Sequence, residues 1–374
     1  MLSHLFIESE YRFMNDLADP RERLPGILKA LAIGVPAGML FDWLDTPIPW
    51  MIGPMIAIAS VNLMGLRVYA LPYGREIGQV ILGSAVGLYF TPTVVAALGA
   101  NFLAILLATL SAFVIGGFGA LVLSRVSGID RKSAFFASIP GGSMAMANLA
   151  YRYGASIPPV AVSHSLRLSI VIVVIPFALT YGGIPLEASA YTPDLPFNLW
   201  IFIVLLATGA VLGGIAEKFK FHNGYLMIPI FLSAGLTIGG VELSAVPGWM
   251  TDFAQLMFGL ILGERYEKAF FARHKLFIPF ALLNAFFNML ASAAVGVGLF
   301  WVFGLPLSTM IISTAPGGMA EMTIVAQALQ IGVPTVIAFH VFRVIIVNMG
   351  TQHIFTLGMW AIGRLRRAEA ERPS

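Results

Sequence analysis

Apolar runs of about 20 residues, separated by short polar loops, recur from one end of the chain to the other. Two of them are "NFLAILLATLSAFVIGGFGALVL" from residue 101 and "FNLWIFIVLLATGAVLGG" from residue 197. A helix of this length crosses roughly 30 Å of hydrocarbon. The chain is 58% hydrophobic and 11% charged, whereas soluble domains are about 25% charged. The pattern therefore predicts an all-α polytopic membrane protein that is embedded in a lipid bilayer and has no sizeable soluble domain.

The apolar segments form two similar sets, because the sequence pattern of residues 27–181 repeats in residues 197–362. Matching positions lie 175 residues apart in the first part of each half and 176 apart afterwards. The pairs that keep these spacings include Gly34 with Gly209, Gly38 with Gly213, Pro54 with Pro229, Pro72 with Pro247, Gln79 with Gln255, Gly83 with Gly259, Gly87 with Gly263, Pro140 with Pro316, and Pro158 with Pro334. This periodicity indicates a duplication. The glycine pairs at a spacing of four predict close helix packing.

The fifth apolar segment of each half is interrupted by Pro-Gly-Gly, in "SIPGGSMAM" (138–146) and "TAPGGMAEM" (314–322). Proline ends a half-helix, the glycines permit a turn, and the next half-helix begins with unpaired N–H groups that attract anions. Irregular backbone at membrane depth must be buried in protein or line a watery cavity. We therefore predict a substrate site at the two tips, with a structural kink as the alternative. The tip residues of this predicted site are Gly141, Gly142, Ser143, Gly317 and Gly318.

The basic residues decide between two topologies. If each Pro-Gly-Gly segment enters and leaves on one side, every basic loop lies in the cytoplasm, including 124–132, 217–220 and 264–275. If it crosses, the last two of these loops lie outside. We therefore predict two inverted-topology repeats with about ten membrane-crossing helices and two re-entrant or broken helices. The protein would lie in a bacterial inner membrane with both termini cytoplasmic.

This topology divides the chain into five parts. They are a cytoplasmic or interfacial N-terminal segment (1–24), membrane repeat 1 (25–181), a periplasmic linker (182–196), membrane repeat 2 (197–363) and a cytoplasmic basic tail (364–374).

The sixth segment of each half carries a His-x-x-Arg motif, in "SHSLRLS" (163–169) and "FHVFRVI" (339–345). His164 and Arg167, like His340 and Arg343, share a helix face because they are three residues apart. An arginine near the bilayer centre costs about 2.5 to 3.5 kcal/mol. Each arginine is therefore predicted either to hold the charge of a substrate or to be satisfied by backbone carbonyls. The titratable histidines are candidates for carrying protons.

One acidic residue breaks the symmetry of the two halves. Glu321 follows the second Pro-Gly-Gly, where the first half has Ala145. The carboxylate either pairs with Arg167 or Arg343, or it binds a coupling proton or cation. Gln79 and Gln255 are candidate neutral ligands for the substrate. Asn284, Asn288 and Asn348 either line the same cavity or link helices.

Enzyme motifs are missing from the sequence. It has no glycine-rich phosphate loop, nucleophile elbow or HExxH motif, and it has no cysteine and six scattered histidines. The basic residues are dispersed among membrane segments, which is not typical of a nucleic-acid surface. We expect no enzymatic activity, no cofactor, no metal site and no nucleic-acid partner.

The duplication, the two Pro-Gly-Gly tips and the paired His-x-x-Arg motifs resemble the AbrB-type duplicated membrane proteins of Gram-negative bacteria, over roughly residues 25–362. Members of that family are often labelled regulators of gene expression or ammonia monooxygenases. The sequence has neither a helix-turn-helix with a basic face nor clustered copper or iron ligands. Any regulation implied by the resemblance would therefore be indirect.

Together these patterns predict a secondary transporter that moves a small anionic metabolite by alternating access, coupled to protons or a cation. The alternative is a membrane-embedded sensor or regulator that binds the same small molecule without transporting it. An assembly scaffold is a third hypothesis. The sequence leaves open whether the chain forms a homo-oligomer.

Overall fold

The computed structural model describes residues 20–187, 193–219, 221 and 223–370, and helices are the only regular elements in those ranges. The prediction of an all-α membrane protein is confirmed for this part of the chain. The N-terminal segment predicted at 1–24 lies outside the described residues up to residue 19, as do residues 188–192 of the predicted linker and residues 371–374 of the predicted tail.

The helices follow the same order in both halves. The first half contains α1 (Pro20–Trp43), α2 (Pro49–Met64), α3 (Gly74–Gly87), α4 (Pro92–Ala100), α5 (Phe102–Ser127), α6 (Arg131–Ser138), α7 (Ser143–Arg152) and α8 (Ile157–Tyr181). The second half contains α9 (Leu199–Lys218), α10 (Gly224–Ile238), α11 (Gly248–Glu264), α12 (Lys268–Arg273), α13 (Ile278–Phe303), α14 (Leu307–Thr314), α15 (Met319–Ala328) and α16 (Val333–Ala370). The helix α16 therefore continues into the segment predicted as a basic tail.

Six described helices are long and apolar enough to span a bilayer, namely α1, α5, α8, α9, α13 and α16. A seventh span is formed if α3 and α4 count as one, although they are bent by 92°. The helices α2 and α10 are apolar but only 16 and 15 residues long. At about 1.5 Å per residue, such helices are shorter than the hydrocarbon layer is thick. The ten predicted crossings are therefore supported only for the long helices.

The long-range packing separates the helices into two groups. The scaffold consists of α1, α2 and α3 packed with α9, α10 and α11, and the core consists of α5–α8 packed with α13–α16. The short helix α4 connects the scaffold to the core in the first half, and the short helix α12 does so in the second half. Across the boundary, α15 packs along α3, whereas its counterpart α7 makes no comparable contact with α11. The two halves are thus alike in fold but differ where the core meets the scaffold.

Glycine allows the scaffold helices to approach each other closely. A Cβ placed on Gly83 of α3 would lie 3.0 Å from Cβ of Pro229 in α10. In the other half, a Cβ placed on Gly259 of α11 would lie 3.1 Å from Cβ of Pro54 in α2. The predicted role of these glycines in helix packing is confirmed by these two matching contacts.

Corresponding helices of the two halves run in opposite directions where they touch. Early in α5, Ile105 shares a buried cluster with Leu299 near the end of α13. Late in α5, Phe118 packs on Phe287 near the start of α13, with ring centroids 5.3 Å apart. The matching contacts of α3 with α11 bring Gly74 to Ile261 and Gly78 to Ala254. Both pairs are therefore antiparallel.

Candidate functional site

The two Pro-Gly-Gly motifs stand at helix breaks inside the core. The first break separates α6 from α7, and the second separates α14 from α15. A Cβ placed on Gly141 would lie 2.6 Å from Cε of Met146, and one on Gly317 would lie 2.8 Å from Cε of Met322. A side chain at the first glycine of either motif would therefore displace the methionine that packs on the tip.

Arg167 caps the end of the half-helix that precedes the first tip. Its Nη1 donates to the carbonyl oxygens of Ile139 at 3.3 Å and Ser138 at 3.5 Å. Its Nη2 lies 3.1 Å from Nδ1 of His164, and Nε2 of that imidazole lies 3.0 Å from the carbonyl oxygen of Phe136. A carbonyl only accepts and a guanidinium only donates, so Nε2 carries the proton and Nδ1 is the acceptor. His164 is thereby held in its neutral form.

Arg343 repeats this arrangement at the second tip. Its Nη1 donates to the carbonyl oxygen of Ala315, and its Nη2 donates to that of Gly317 at 2.6 Å. His340 donates through Nε2 to the carbonyl oxygen of Ile312 at 3.1 Å, while its Nδ1 has no partner among the described residues. The His-x-x-Arg motif thus supplies hydrogen-bond donors to carbonyl oxygens at the ends of the half-helices, where helical pairing is incomplete.

The two arginines place positive charge in the interior of the core. Arg167 is 3% exposed and Arg343 is 5% exposed, and the Nε of each has no partner among the described residues. The helix α8, which carries Arg167, packs against α15, which begins at the second tip. Within the described ranges, the one ion pair joins Arg67 to Glu267 at 2.9 Å, on an exposed part of the protein. Backbone carbonyls, and not carboxylates, therefore surround the buried guanidinium groups.

Glu321 lies at the start of α15, directly on the second tip. The side chain is 9% exposed, and a Cβ placed on Gly318 would overlap its Oε2. No ion pair joins Glu321 to another described residue, so the predicted pairing with Arg167 or Arg343 is not formed. The carboxylate instead occupies the N-terminal end of α15, where the helix dipole favours negative charge.

The first tip is capped by a neutral side chain from the other half. The N–H of Gly142 donates to Oδ1 of Asn348 in α16 at 3.2 Å. A Cβ placed on Gly142 would lie 3.8 Å from Cβ of Ala145, so this tip has no counterpart of the Glu321 carboxylate. The two tips are therefore similar in backbone but different in charge.

Two further asparagines of the second half reach the first break. Nδ2 of Asn284 donates to Oγ of Ser138 at 3.1 Å, and Nδ2 of Asn288 donates to the carbonyl oxygen of Asn284 at 2.7 Å. Oδ1 of Asn288 is buried and has no partner among the described residues. These contacts link α13 to the break, so the asparagines hold helices together close to the tip.

The sequence that forms this core is similar to those of known proteins. A family model described as "Transition state regulatory protein AbrB" matches residues 50–358. The chain belongs to the AbrB family.

Two relatives of this AbrB-family protein match over nearly their whole length. "Putative regulator AbrB" from Escherichia coli (strain K12) is 26% identical over 329 residues, which cover 85% of this chain and 91% of the relative. "Uncharacterized protein YhjN" from Bacillus subtilis (strain 168) is 25% identical over 342 residues, or 85% of this chain and 89% of the relative. The two names assign no transported substrate.

The structure of the AbrB-family chain brings some predicted site residues together and leaves others apart. The glycine tips, both His-x-x-Arg motifs and Glu321 lie at the two breaks of the core. Gln79 and Gln255 instead lie buried in the scaffold helices α3 and α11, and Oε1 of Gln255 has no partner among the described residues. No described hydrogen bond connects either glutamine to a tip. Their role as substrate ligands therefore stays a prediction.

The first tip of the AbrB-family chain is more accessible than the second. Gly141 and Ser143 are partly exposed, and Met144 is 37% exposed. At matching positions of the second tip, Gly317 is buried and Ala320 is 6% exposed. This difference agrees with the packing of α15, but not α7, on the scaffold.

Proposed function

We propose that this AbrB-family protein is a secondary transporter that moves a small anionic metabolite by alternating access, coupled to protons or a cation, and is not an enzyme. The observation that carries this proposal is the pair of buried guanidinium groups at the two helix breaks, without an ion pair in the described part of the chain. Buried charges are normally paired or serve a function.

The chemistry of the tips favours an anion as the substrate. Carbonyl oxygens at a helix C-terminus carry only partial negative charge, so they compensate Arg167 and Arg343 incompletely. An anion beside the tips would receive charge-assisted hydrogen bonds from guanidinium N–H groups and backbone N–H groups. The accessible first tip, with Gly142 and Ser143, is the proposed entry to this site.

We further propose that the two halves have inverted topology in the membrane. Helices that correspond under the duplication run antiparallel where they touch, as α5 with α13 and α3 with α11, and a two-fold axis in the membrane plane would relate such pairs. The one-sided distribution of basic loops agrees with this arrangement. The helices α2, α3, α10 and α11 would then complete ten crossings within the scaffold, and the broken helices would be re-entrant.

The absence of native cysteines allows a direct test of this topology. Lys268→Cys should react with a membrane-impermeant thiol reagent only from the cytoplasmic side, and Glu242→Cys only from outside. Reaction of Lys268→Cys only from outside would refute the inverted arrangement.

Transport would require movement of the core against the scaffold. The second hairpin, α14 with α15, packs on α3, while the first hairpin, α6 with α7, stands away from α11. Because the halves are related by duplication, exchanging these two arrangements would close the first tip and open the second. The bent α3–α4 connection and the short α12 are the proposed hinges.

A membrane-embedded regulator is the second candidate, favoured by the names of the family model and of the Escherichia coli relative. In this case the anion would bind at the same tips but would not cross the membrane.

Uptake into proteoliposomes distinguishes the two candidates. The wild-type protein and Arg343→Ala would be reconstituted and supplied with radiolabelled acetate, pyruvate, succinate or inorganic phosphate. The proposal predicts saturable uptake of at least one probe, lost in Arg343→Ala, with Arg67→Ala as a surface control that retains uptake. Binding of a probe without uptake, abolished by Arg343→Ala, would instead identify a regulator. If no probe binds and no probe is taken up, the proposal of an anion site is overturned.

A further inference from the structure

The two tips offer an anion different surroundings. At the first tip, the N-terminus of α7 meets the neutral amide of Asn348 and the methyl group of Ala145. At the second tip, the N-terminus of α15 meets the carboxylate of Glu321. The second tip therefore already holds an anion of its own, whereas no carboxylate of a described residue is seen at the first tip.

The Glu321 carboxylate has no ion-pair partner among the described residues. It is 9% exposed, forms no ion pair within the described ranges and points back onto Gly318 at the helix N-terminus. Arg343 donates to the carbonyl oxygen of Gly317, the residue before Gly318. The Glu321 carboxylate thus lies at the N-terminus of α15, next to the residue whose carbonyl oxygen accepts from Arg343, and forms no direct ion pair with a described residue.

Several helices that carry titratable groups pack against α15, and each of these groups could respond to the charge of a bound anion. The helices packed against α15 are α3, α8, α14 and α16. Their described titratable groups are Arg75 and Glu76 on α3, His164, Arg167 and Tyr181 on α8, and His340, Arg343 and His353 on α16, while α14 carries none. Glu76 lies in the first turn of α3 and lines a groove of the scaffold. Glu321 is therefore the buried carboxylate among the described residues of the core.

The histidines are poorly placed to carry the coupling proton. Both nitrogens of His164 are engaged, with Phe136 and Arg167. His340 has a free Nδ1, but a second proton there would add a positive charge beside Arg343. These imidazoles therefore hold the breaks in place, and Glu321 is left as the proton acceptor.

A metal cation also has poor ligands at the breaks. Hard cations bind several oxygen atoms at once, and the carbonyl oxygens of Ile139, Ala315 and Gly317 already accept hydrogen bonds from the arginines. The guanidinium groups occupy the positions where a free cation would otherwise neutralise the helix ends.

We propose that Glu321 is the proton-binding group of the transporter and that it takes up one proton when an anion binds beside the tips. This inference rests on the proposed function. An anion near Arg167 and Arg343 would compete with the Glu321 carboxylate for the same positive charge and would repel it. Protonation to the neutral acid removes this repulsion, and the linkage is reciprocal, so the proton also strengthens anion binding. The proton enters from the side on which the anion enters and leaves with it on the other side.

Proton uptake on anion binding tests this inference with the full-length protein. Acetate, pyruvate, succinate and inorganic phosphate would be titrated into protein in weakly buffered detergent solution, with a pH-sensitive dye reporting protons and calorimetry reporting binding. Wild type should take up about one proton per bound anion near neutral pH. Glu321→Gln should bind the same anion without uptake, because its amide imitates the protonated acid. Glu242→Gln, which alters an exposed loop, should behave like wild type.

The outcomes separate this inference from the proposed function. Anion binding by wild type without proton uptake, or equal uptake by Glu321→Gln, would overturn the role of Glu321 and leave the anion site intact. Binding by none of the four anions would overturn both. If Glu321→Gln does not fold, Glu321→Asp serves as the second variant, and it should retain proton uptake with weaker anion binding.

Discussion

Arg167 donates a hydrogen bond to His164 at 3.1 Å, and His164 in turn donates to the carbonyl oxygen of Phe136 at 3.0 Å. Both side chains lie on α8. His164 supplies a donor to the last turn of α6, and Arg167 supplies another to the carbonyl oxygens at the C-terminal end of α6. In the second half, His340 donates to the carbonyl oxygen of Ile312 in α14 and Arg343 donates to that of Ala315 at its end, but no described hydrogen bond joins the two side chains. The sequence motif His-x-x-Arg is therefore a device that allows a helix to break inside the core.

Removing the imidazole of His164 should destabilise the first break. His164→Ala leaves the Phe136 carbonyl without its donor and Nη2 of Arg167 without its acceptor. Because both groups are buried, we expect a loss of about 1 to 3 kcal/mol in the free energy of unfolding. Thermal denaturation in detergent measures it, with His353→Ala, which alters an exposed histidine, as control. Equal melting temperatures for wild type and His164→Ala would contradict the hydrogen-bonding role.

Changing Arg343 to lysine separates charge from geometry. The guanidinium group reaches two carbonyl oxygens, of Ala315 and Gly317, whereas an ammonium group is a single point charge. Arg343→Lys should therefore keep the positive charge but weaken anion binding by about tenfold or more, equal to about 1.4 kcal/mol. Calorimetric titration with the bound anion measures the change. Arg67→Lys, at an exposed ion pair, should have almost no effect. Unchanged affinity in Arg343→Lys would show that charge alone suffices.

Alanine at the second glycine of each tip distinguishes the two tips. A Cβ on Gly318 would overlap the carboxylate of Glu321, whereas the nearest atom to a Cβ on Gly142 is 3.7 Å away. Gly318→Ala should displace Glu321 and lower the free energy of unfolding by about 1 to 3 kcal/mol. Gly142→Ala should change it by no more than about 0.5 kcal/mol. Equal effects of the two substitutions would contradict the position of Glu321 on the second tip.

Glycine in the scaffold should be less replaceable than glycine on an open helix face. A Cβ on Gly83 meets Pro229 at 3.0 Å, whereas one on Gly117 has no atom within 4 Å. Gly83→Ala should therefore separate α3 from α10 and destabilise the protein by about 1 to 3 kcal/mol. Gly117→Ala should stabilise its helix by about 0.5 to 1 kcal/mol. Denaturation midpoints of the two variants should shift in opposite directions, and a shared direction would contradict the packing.

The sequence predicted the elements that depend on local chemistry. The apolar runs predicted the long helices, and the repeated spacing predicted that both halves would have the same helix order. Pro140 and Pro316 predicted the two breaks, because proline cannot continue a helix and glycine permits the turn that follows. The glycine pairs at a spacing of four, Gly83 with Gly87 and Gly259 with Gly263, predicted close packing.

The sequence did not predict which groups the buried polar side chains contact. The sequence left open whether Arg167 and Arg343 reach a substrate or backbone carbonyls, because both satisfy a buried guanidinium group. Asn348 caps Gly142 across 206 residues of sequence, and no local pattern reveals such a contact. Pairing of Glu321 with an arginine was one of the two alternatives that the sequence left open, and the structure instead places the carboxylate at a helix N-terminus, which offers positive potential.

Alternating movement of the core against the scaffold can be tested through the accessibility of the two tips, without knowledge of the substrate. Ser143→Cys would be the single cysteine in the chain, and oriented vesicles would be treated with a membrane-impermeant thiol reagent from either side. Lys268→Cys and Glu242→Cys establish the orientation. We predict that Ser143→Cys reacts from one side only and that Met319→Cys, at the matching position of the second tip in a separate single-cysteine variant, reacts only from the other side, because movement of the core closes one tip as it opens the other. Reaction of both variants from the same side only, or of Ser143→Cys alone, would contradict transport and favour a regulator.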